Sequence, residues 1–215
     1  MKSISAIPIL LALMVCEACA QPNSNSSTSA KSVGGGCDGC TGIYDNAPSF
    51  AGLGWTDTLP DFGEKGPKLI VYGTLFQSDG KTPAPNVILY IYHTDQKGHY
   101  TPSPSQSGQG RRHGYIRGWI KSGADGKYKF YTLKPAPYPG NSIPAHIHPI
   151  VKEPGINEYY IDEFVFSDDP FVDERYRSRQ ECRGGCGIIT LTKSADGTLL
   201  CKRDIVLGKN IPNYK

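Results

Sequence analysis

The chain has 215 residues and a formal net charge of +3, from 23 basic and 20 acidic residues. Because these charges are spread along the chain, they form no electrostatic footprint for nucleic acid, and we expect no nucleic-acid partner. Apart from the amino-terminal segments described next, about 180 residues remain, which is enough for a single domain with its own core.

The first 20 residues are typical of an export signal. Lys2 supplies a positive start, and Ile7 to Val15 is an apolar run that is too short to span a bilayer as a helix. Ala18-Cys19-Ala20 then offers a small-residue cleavage site. Cys19 is alternatively a lipidated cysteine, as in bacterial lipoproteins. We therefore predict an exported protein that is periplasmic, extracellular or attached by lipid to the membrane surface.

Residues 21–36 are rich in Asn, Ser and Gly, which predicts a flexible tether, and residues 37–215 are predicted to form the folded domain. The domain contains five cysteines: Cys37, Cys40, Cys182, Cys186 and Cys201. Export favours disulfide bonds over the alternative, a zinc site built from the two closely spaced cysteine pairs. An odd number leaves at least one thiol unpaired or paired between chains.

The domain is predicted to be all-β, a sandwich of mostly antiparallel strands with long loops. Runs rich in β-branched and aromatic residues predict strands at 68–76, 87–93, 115–121, 127–133, 145–151, 160–166, 187–192 and 198–207. The Asp-Gly pairs at 125–126 and 196–197 predict two hairpins. A short helix is expected at 173–178, and residues 101–110 form a loop of the kind on which sites are assembled.

The most informative stretch runs from Tyr138 to His148. If His146-Ile147-His148 is a strand, both imidazoles leave one face and Ile147 packs on the other, which makes a two-armed metal clamp. Prolines at 135, 137, 139 and 144 stiffen the approach by fixing φ. The alternative is a structural or solvent-facing pair. The chain has 5 histidines in all, and finding two of them here beside a tyrosine favours the metal site.

The residues around these histidines resemble a known family. Gly118 to Pro139, followed by Pro144-Ala145-His146-Ile147-His148, is similar to the intradiol ring-cleavage dioxygenases, which are the catechol and protocatechuate dioxygenases. The similarity extends roughly over residues 67–170 and is greatest to exported, single-domain members. It implies an enzyme that uses non-haem Fe(III) and O2 to cleave a catechol-type aromatic diol between its hydroxyl-bearing carbons. The product would be a muconate-type diacid.

The resemblance also implies a set of metal ligands. His146 and His148 would be the imidazole ligands, and Tyr138 would be a phenolate ligand that is displaced to take a substrate proton. The second tyrosine of the family follows a Lys-Gly pair, which Tyr100 does in Lys97-Gly98-His99-Tyr100. Tyr115 is the alternative for this ligand.

Two positions depart from the family pattern. Ile143 stands where the family has an arginine three residues before the first histidine, and Glu163 stands where it has a glutamine. The missing positive charge would then come from one of three nearby residues, Arg111, Arg112 or Arg117. We take Arg117 and Glu163, with Tyr138, as the candidate catalytic residues. The competing functions are a non-catalytic exported sandwich that binds iron or catechols, and a zinc site on the same histidines.

Overall fold

The computed structural model describes residues 30–215, which form two six-stranded β-sheets packed face to face. The predicted export signal, with Cys19, and the predicted tether up to residue 29 lie outside the described residues. Within residues 30–215 no helix has the length and apolar character needed to cross a membrane. The two sheets confirm the predicted all-β sandwich.

The twelve strands of the described chain are β1 (Thr56–Thr58), β2 (Lys68–Phe76), β3 (Ile88–His93), β4 (Arg117–Lys121), β5 (Lys127–Leu133), β6 (His146–Lys152), β7 (Tyr159–Tyr160), β8 (Phe164–Phe166), β9 (Ile188–Ile189), β10 (Thr192–Lys193), β11 (Leu199–Lys202) and β12 (Ile205–Val206). Helix α1 is Glu174–Ser178, and short 3-10 helices lie at Cys40–Ile43, Phe50–Gly52, Pro60–Gly63 and Gln109–Arg111. Asp173 caps α1 by accepting a hydrogen bond from the backbone N–H of Tyr176.

The first sheet has the order β1-β5-β2-β11-β10, with β12 also paired to β2, and the second has the order β4-β3-β6-β8-β9, with β7 paired to β6. Six of the ten ladders in residues 30–215 are antiparallel and four are parallel, in agreement with the predicted mostly antiparallel sandwich. The parallel ladders join strands distant in sequence, which periodicity alone does not reveal.

The main core lies between the sheets. Alternate residues of β2, such as Leu69, Val71 and Leu75, are fully buried there, while Tyr72 faces outward, which is the period-2 pattern of a strand with one buried face. Strand β3 is different because both of its faces are covered. Its outer face packs in a second apolar cluster, whose buried members are Cys40, Ile43, Ile88, Tyr90 and Ile150. The segment from Cys37 to Leu53 covers this cluster.

The predicted hairpin around Asp125-Gly126 is wrong. The turn forms, with Gly126 donating to the carbonyl of Gly123 at 2.9 Å, but β4 pairs with β3 and β5 pairs with β2. The reason is an unpredicted segment that lies between them. Lys121 donates its backbone N–H to Gly54 at 2.8 Å, and Lys129 donates to Trp55 at 2.9 Å. These bonds occupy the edges through which β4 and β5 would otherwise pair.

Three further predictions are corrected by the structure. The strand predicted at 160–166 is divided into β7 and β8, because Asp162 between them accepts hydrogen bonds from the backbone of Cys182 and Arg183. The strand predicted at 187–192 is also divided, since β9 pairs with β8 and only β10 pairs with β11. The predicted tether is packed at its end, because Val33 is apolar and 2 % exposed in the core.

The cysteines adopt one of the predicted arrangements. Cys37 and Cys40 form a disulfide, so the alternative zinc site using both cysteine pairs is not formed. Cys182, Cys186 and Cys201 are free thiols in the structure.

Candidate metal centre

Strand β6 presents the two histidines as the alternation of a strand requires. Ile147 is fully buried in the main core, whereas His146 and His148 leave the opposite face and are half-buried. Register fixes their surroundings, because His148 lies opposite Tyr92 of β3 and His146 lies opposite Val165 of β8.

Four donor atoms converge at this face. The Tyr100 and Tyr138 hydroxyl oxygens are 2.7 Å apart, and the Nε2 atoms of His146 and His148 are 3.0 Å apart. Tyr138 Oη lies 3.2 Å from His146 Nε2, and Tyr100 Oη lies 2.9 Å from His148 Nε2. Tyr115 is not part of this group, because its hydroxyl donates to Glu64 Oε1 at 2.7 Å. The structure therefore places Tyr100, not the alternative Tyr115, with the other three residues.

The Nε2 atoms of the two imidazoles face each other, and each Nδ1 atom faces an oxygen on the outer side of the ring. His146 Nδ1 lies 2.7 Å from the Pro144 carbonyl, to which it donates, so in the neutral ring the Nε2 atom carries the lone pair that a metal would bind. His148 Nδ1 faces Glu163 Oε1 at 3.6 Å, and burial lowers the pKa of His148 well below its ordinary value. A cation bound between these two nitrogens and the phenols would accept a lone pair from each ring. A carbonyl and a carboxylate behind the rings are also the usual outer partners of metal-bound histidines.

The distances and donor types fit one hard metal ion. Adjacent ligands bound about 2.0 to 2.2 Å from a single ion lie about 2.8 to 3.5 Å apart, which is close to the observed 2.7 to 3.2 Å. Burial raises the pKa of both Tyr100 and Tyr138, so each phenol needs a cation to lose its proton near neutral pH. Among residues 30–215 no group of three His, Cys, Asp or Glu side chains could hold a metal. The site thus depends on its phenols, which are not usual zinc ligands.

A close approach of two loops positions the tyrosines. The Asp95 carboxylate accepts hydrogen bonds from the Lys97 backbone at 2.8 Å and from the Thr101 hydroxyl at 2.7 Å, which closes the loop that carries Tyr100. Gly98 has φ of +78° and lies against Pro137 and Pro139 of the loop that carries Tyr138. A side chain at position 98 would meet Pro139 Cδ at 2.8 Å, so glycine permits the contact between the loops.

An aromatic stack that the sequence did not reveal supports His148. The ring of Tyr92 stacks on His148 with centroids 4.7 Å apart and on His113 with centroids 3.7 Å apart. His113 is held in turn by the Tyr90 hydroxyl, 2.8 Å from its Nδ1 atom. The alternation of Tyr90 and Tyr92 in β3 was the available signal, since it places both rings on one face.

Comparison with known proteins identifies the family. A family model described as dioxygenase matches residues 54–203. The chain belongs to the intradiol ring-cleavage dioxygenases. It is 31 % identical to catechol 1,2-dioxygenase 1 of Acinetobacter lwoffii over 171 residues, which are 69 % of this chain and 50 % of that protein. It is 30 % identical to 6-chlorohydroxyquinol 1,2-dioxygenase of Cupriavidus pinatubonensis over 127 residues, covering 52 % of this chain and 44 % of that protein.

This intradiol family member thus spans about half the length of the curated relatives it matches. Two solved structures show the shared fold. Catechol 1,2-dioxygenase from Acinetobacter sp. ADP1 aligns with a TM-score of 0.53 at 22 % identity, covering 74 % of this chain and 59 % of that chain. 3-Chlorocatechol 1,2-dioxygenase from Rhodococcus opacus 1CP aligns with a TM-score of 0.54 at 20 % identity, covering 76 % and 70 %.

The arginine expected to replace the missing family arginine lies elsewhere. Arg117 is buried, and its guanidinium donates to the carbonyl of Asp45 at 3.1 Å and lies 5.0 Å from the ring of Trp119. Arg112 is exposed and forms a two-armed ion pair with Asp38, which lines the cleft beside His148. Ile143 is 42 % exposed. The structure therefore brings Glu163 to His148 but does not bring Arg117 to the four donors.

A cleft of about 230 Å³ reaches the donor set at His148, which is the one of the four donor residues among its lining. Its walls include Cys37, Asp38, Tyr92, Pro149, Tyr160 and Glu163. The disulfide-closed segment before the first 3-10 helix thus forms part of the cleft, a contribution that the sequence did not indicate.

Proposed function

We propose that this chain is a non-haem Fe(III)-dependent intradiol dioxygenase. It cleaves a catechol-type ring with O2 and releases a muconate-type diacid. The observation that carries the proposal is the convergence of two phenol oxygens and two imidazole nitrogens with neighbouring separations of 2.7 to 3.2 Å. Family membership supports it independently.

The proposed ligands are Tyr100, Tyr138, His146 and His148. Two phenolates and two neutral imidazoles are a hard donor set with two negative charges, which suits a trivalent ion. When bound, ferric iron draws electron density from a chelated diol and makes its ring reactive toward O2.

The side chains around the metal would accept a substrate proton and keep the two imidazole rings in a fixed orientation. By resemblance to the family, the Tyr138 phenolate would leave the metal and take the proton of one substrate hydroxyl; its oxygen lies at the half-buried face beside Tyr100 and His146. The Pro144 carbonyl fixes the ring of His146. The Tyr92 ring and the Glu163 carboxylate fix His148, so this imidazole keeps its orientation while Tyr138 changes protonation.

Metal analysis and visible absorbance of the purified protein test the ligand set. We expect about one iron per chain and a visible charge-transfer band from tyrosinate to iron. His146→Ala and Tyr138→Phe should each lose the band while the far-UV circular dichroism spectrum stays unchanged. Tyr115→Phe is the matched control and should keep the band, because Tyr115 is bonded to Glu64 instead. A colourless protein without iron, or one that binds zinc alone, would refute the proposal.

Oxygen consumption with catechol then tests the reaction. We expect uptake of one O2 per catechol together with the ultraviolet absorbance of a muconate. An iron-coloured protein that consumes no O2 with a broad set of catechols would instead be the non-catalytic module that binds iron or catechols.

A further inference from the structure

The cleft beside His148 carries negative charge. Glu163 and Asp38 both line it, and no lysine or arginine is among its lining residues. The remaining walls, such as Pro149, Tyr160 and the Cys37 end of the disulfide, are largely apolar. A ring substituent in this cleft would therefore meet apolar surface and carboxylates.

The two carboxylates are not equivalent. Arg112 neutralises Asp38 through two N–O contacts of 3.2 Å each. Glu163 forms no ion pair with a lysine or arginine among residues 30–215, and its carboxylate lies 3.6 Å from His148 Nδ1. With 41 % of its side chain exposed, Glu163 presents its charge to anything that enters the cleft.

A second guanidinium lies behind the wall but is already engaged. Arg183 stacks on the ring of Tyr160, 3.5 Å from the centroid, and donates to the carbonyl of Gly34 at 3.0 Å. It is 3 % exposed, so Tyr160 separates it from the cleft. Arg203 is the other buried guanidinium near Glu163; it is 3 % exposed and donates to the carbonyls of Asp162 and Gly185. The exposed, unpaired charge that a bound ligand meets is consequently that of Glu163.

We propose that Glu163 determines which ring substituents are accepted: neutral or cationic ones are favoured, and carboxylated ones are rejected. The inference rests on the proposed function, since it concerns the substituent of a diol held at the four donors. A carboxylate on the ring would approach Glu163 with the same sign of charge, whereas an ammonium group would gain an ion pair in a partly desolvated cleft.

Three catechols that differ in charge at one ring position test the proposal. They are 4-(2-aminoethyl)catechol, 4-ethylcatechol and 3,4-dihydroxybenzoate, compared by kcat/KM from oxygen uptake. The native protein should favour the amine over the carboxylate. Because Glu163 also faces His148, the variant can lower turnover of every catechol, so kcat/KM for each charged substrate is divided by that for 4-ethylcatechol in the same protein. In Glu163→Gln the ratio of the normalised amine and carboxylate values should fall by about tenfold or more.

Two further variants sharpen the test. Glu64→Gln is the matched control: it removes the same charge outside the cleft, and the amide oxygen can still accept from Tyr115, so the ratio should stay unchanged. Arg112→Gln leaves Asp38 without its partner and should shift the ratio further toward the amine. Dissociation constants for the same three compounds, measured under argon from the change in visible absorbance, should follow the same order.

The outcomes separate the inference from the proposed function. If all three catechols are turned over and the ratio in Glu163→Gln stays within about twofold of the native ratio, Glu163 does not set specificity and the dioxygenase proposal stands. If iron binds but no catechol is turned over, the ratio of dissociation constants decides the inference by itself. If no iron binds, both fail together.

Discussion

Replacing Gly98 with alanine tests whether the approach of two loops assembles the four donors. Alanine at this position has two costs. Its backbone must keep φ at +78°, which costs about 1 to 2 kcal/mol for a residue with a Cβ atom. The new methyl group would also lie 2.8 Å from Pro139 Cδ and closer still to the Pro137 carbonyl. Since carbon atoms pack at about 3.5 to 4.0 Å, the loops must part by roughly 1 Å.

That displacement acts directly on the metal ligands, because Tyr100 and Tyr138 sit on the two loops that Gly98 joins. We expect Gly98→Ala to destabilise the fold by about 2 to 4 kcal/mol in urea denaturation. We expect iron retention against a chelator to weaken by at least about tenfold, and turnover to fall by about a hundredfold, as a 1 Å misplacement can cause.

Gly140→Ala is the matched control. Gly140 also has positive φ, at +68°, but nothing lies within 4 Å of the position that its Cβ would occupy. It should therefore show only the backbone cost of about 1 to 2 kcal/mol and keep its iron. Equal effects of the two substitutions on iron retention would refute the reasoning, because they would show that the loop contact does not position the tyrosines.

Three further predictions concern the surroundings of the site. Tyr92→Leu should weaken iron retention about 10- to 100-fold by removing the stack on His148, whereas Tyr92→Phe keeps the ring and should retain iron; equal loss in both variants would instead implicate the hydroxyl. Burial lowers the pKa of His113 from 6.5 to about 4, so between these pH values the unfolded chain binds more protons than the folded chain. The free energy of unfolding of the iron-free protein should therefore decrease by up to about 3 kcal/mol as the pH falls through this range. In His113→Gln this decrease should be smaller. Val33→Ala should lower the free energy of unfolding by about 1 to 2 kcal/mol in urea, while an unchanged value would mean that Val33 does not contribute to the core.

The regular strands could be predicted because the residues that determine them lie within each strand and its flanking turns. The bounds of β2 and β5 agree with the predicted 68–76 and 127–133, since alternating apolar residues and flanking turns lie within the segments themselves. The same holds for the histidine pair, whose common face follows from the two-residue period of one strand. The failed hairpin at Asp125-Gly126 shows the limit, because the segment at Gly54 and Trp55 that separates β4 from β5 is distant in sequence.

The same distinction applies to the site. Tyr100 and Tyr115 are both tyrosines close to the loop before β4, and sequence alone left both as ligand candidates. Tyr100 reaches Tyr138 because the Asp95 turn and Gly98 bring it there, while Tyr115 reaches Glu64. The sequence places Arg117 near the loop, yet the carbonyls of Gly42 and Asp45, which are 75 and 72 residues away in the chain, bind its guanidinium. Partners contributed by a distant segment are not encoded in the spacing around the residue itself.

The packed start of the described chain has a geometric consequence. Lys31 donates its backbone N–H to Gly155 at 3.0 Å, and Gly34 donates to Pro212 near the carboxyl terminus at 2.8 Å. Gly155 follows the far end of β6, so a strand of seven residues, roughly 20 Å long, separates this point of departure from His146. The described chain therefore enters the fold at the opposite end of β6 from His146, and a group attached near residue 30 would lie roughly 20 Å from the metal centre.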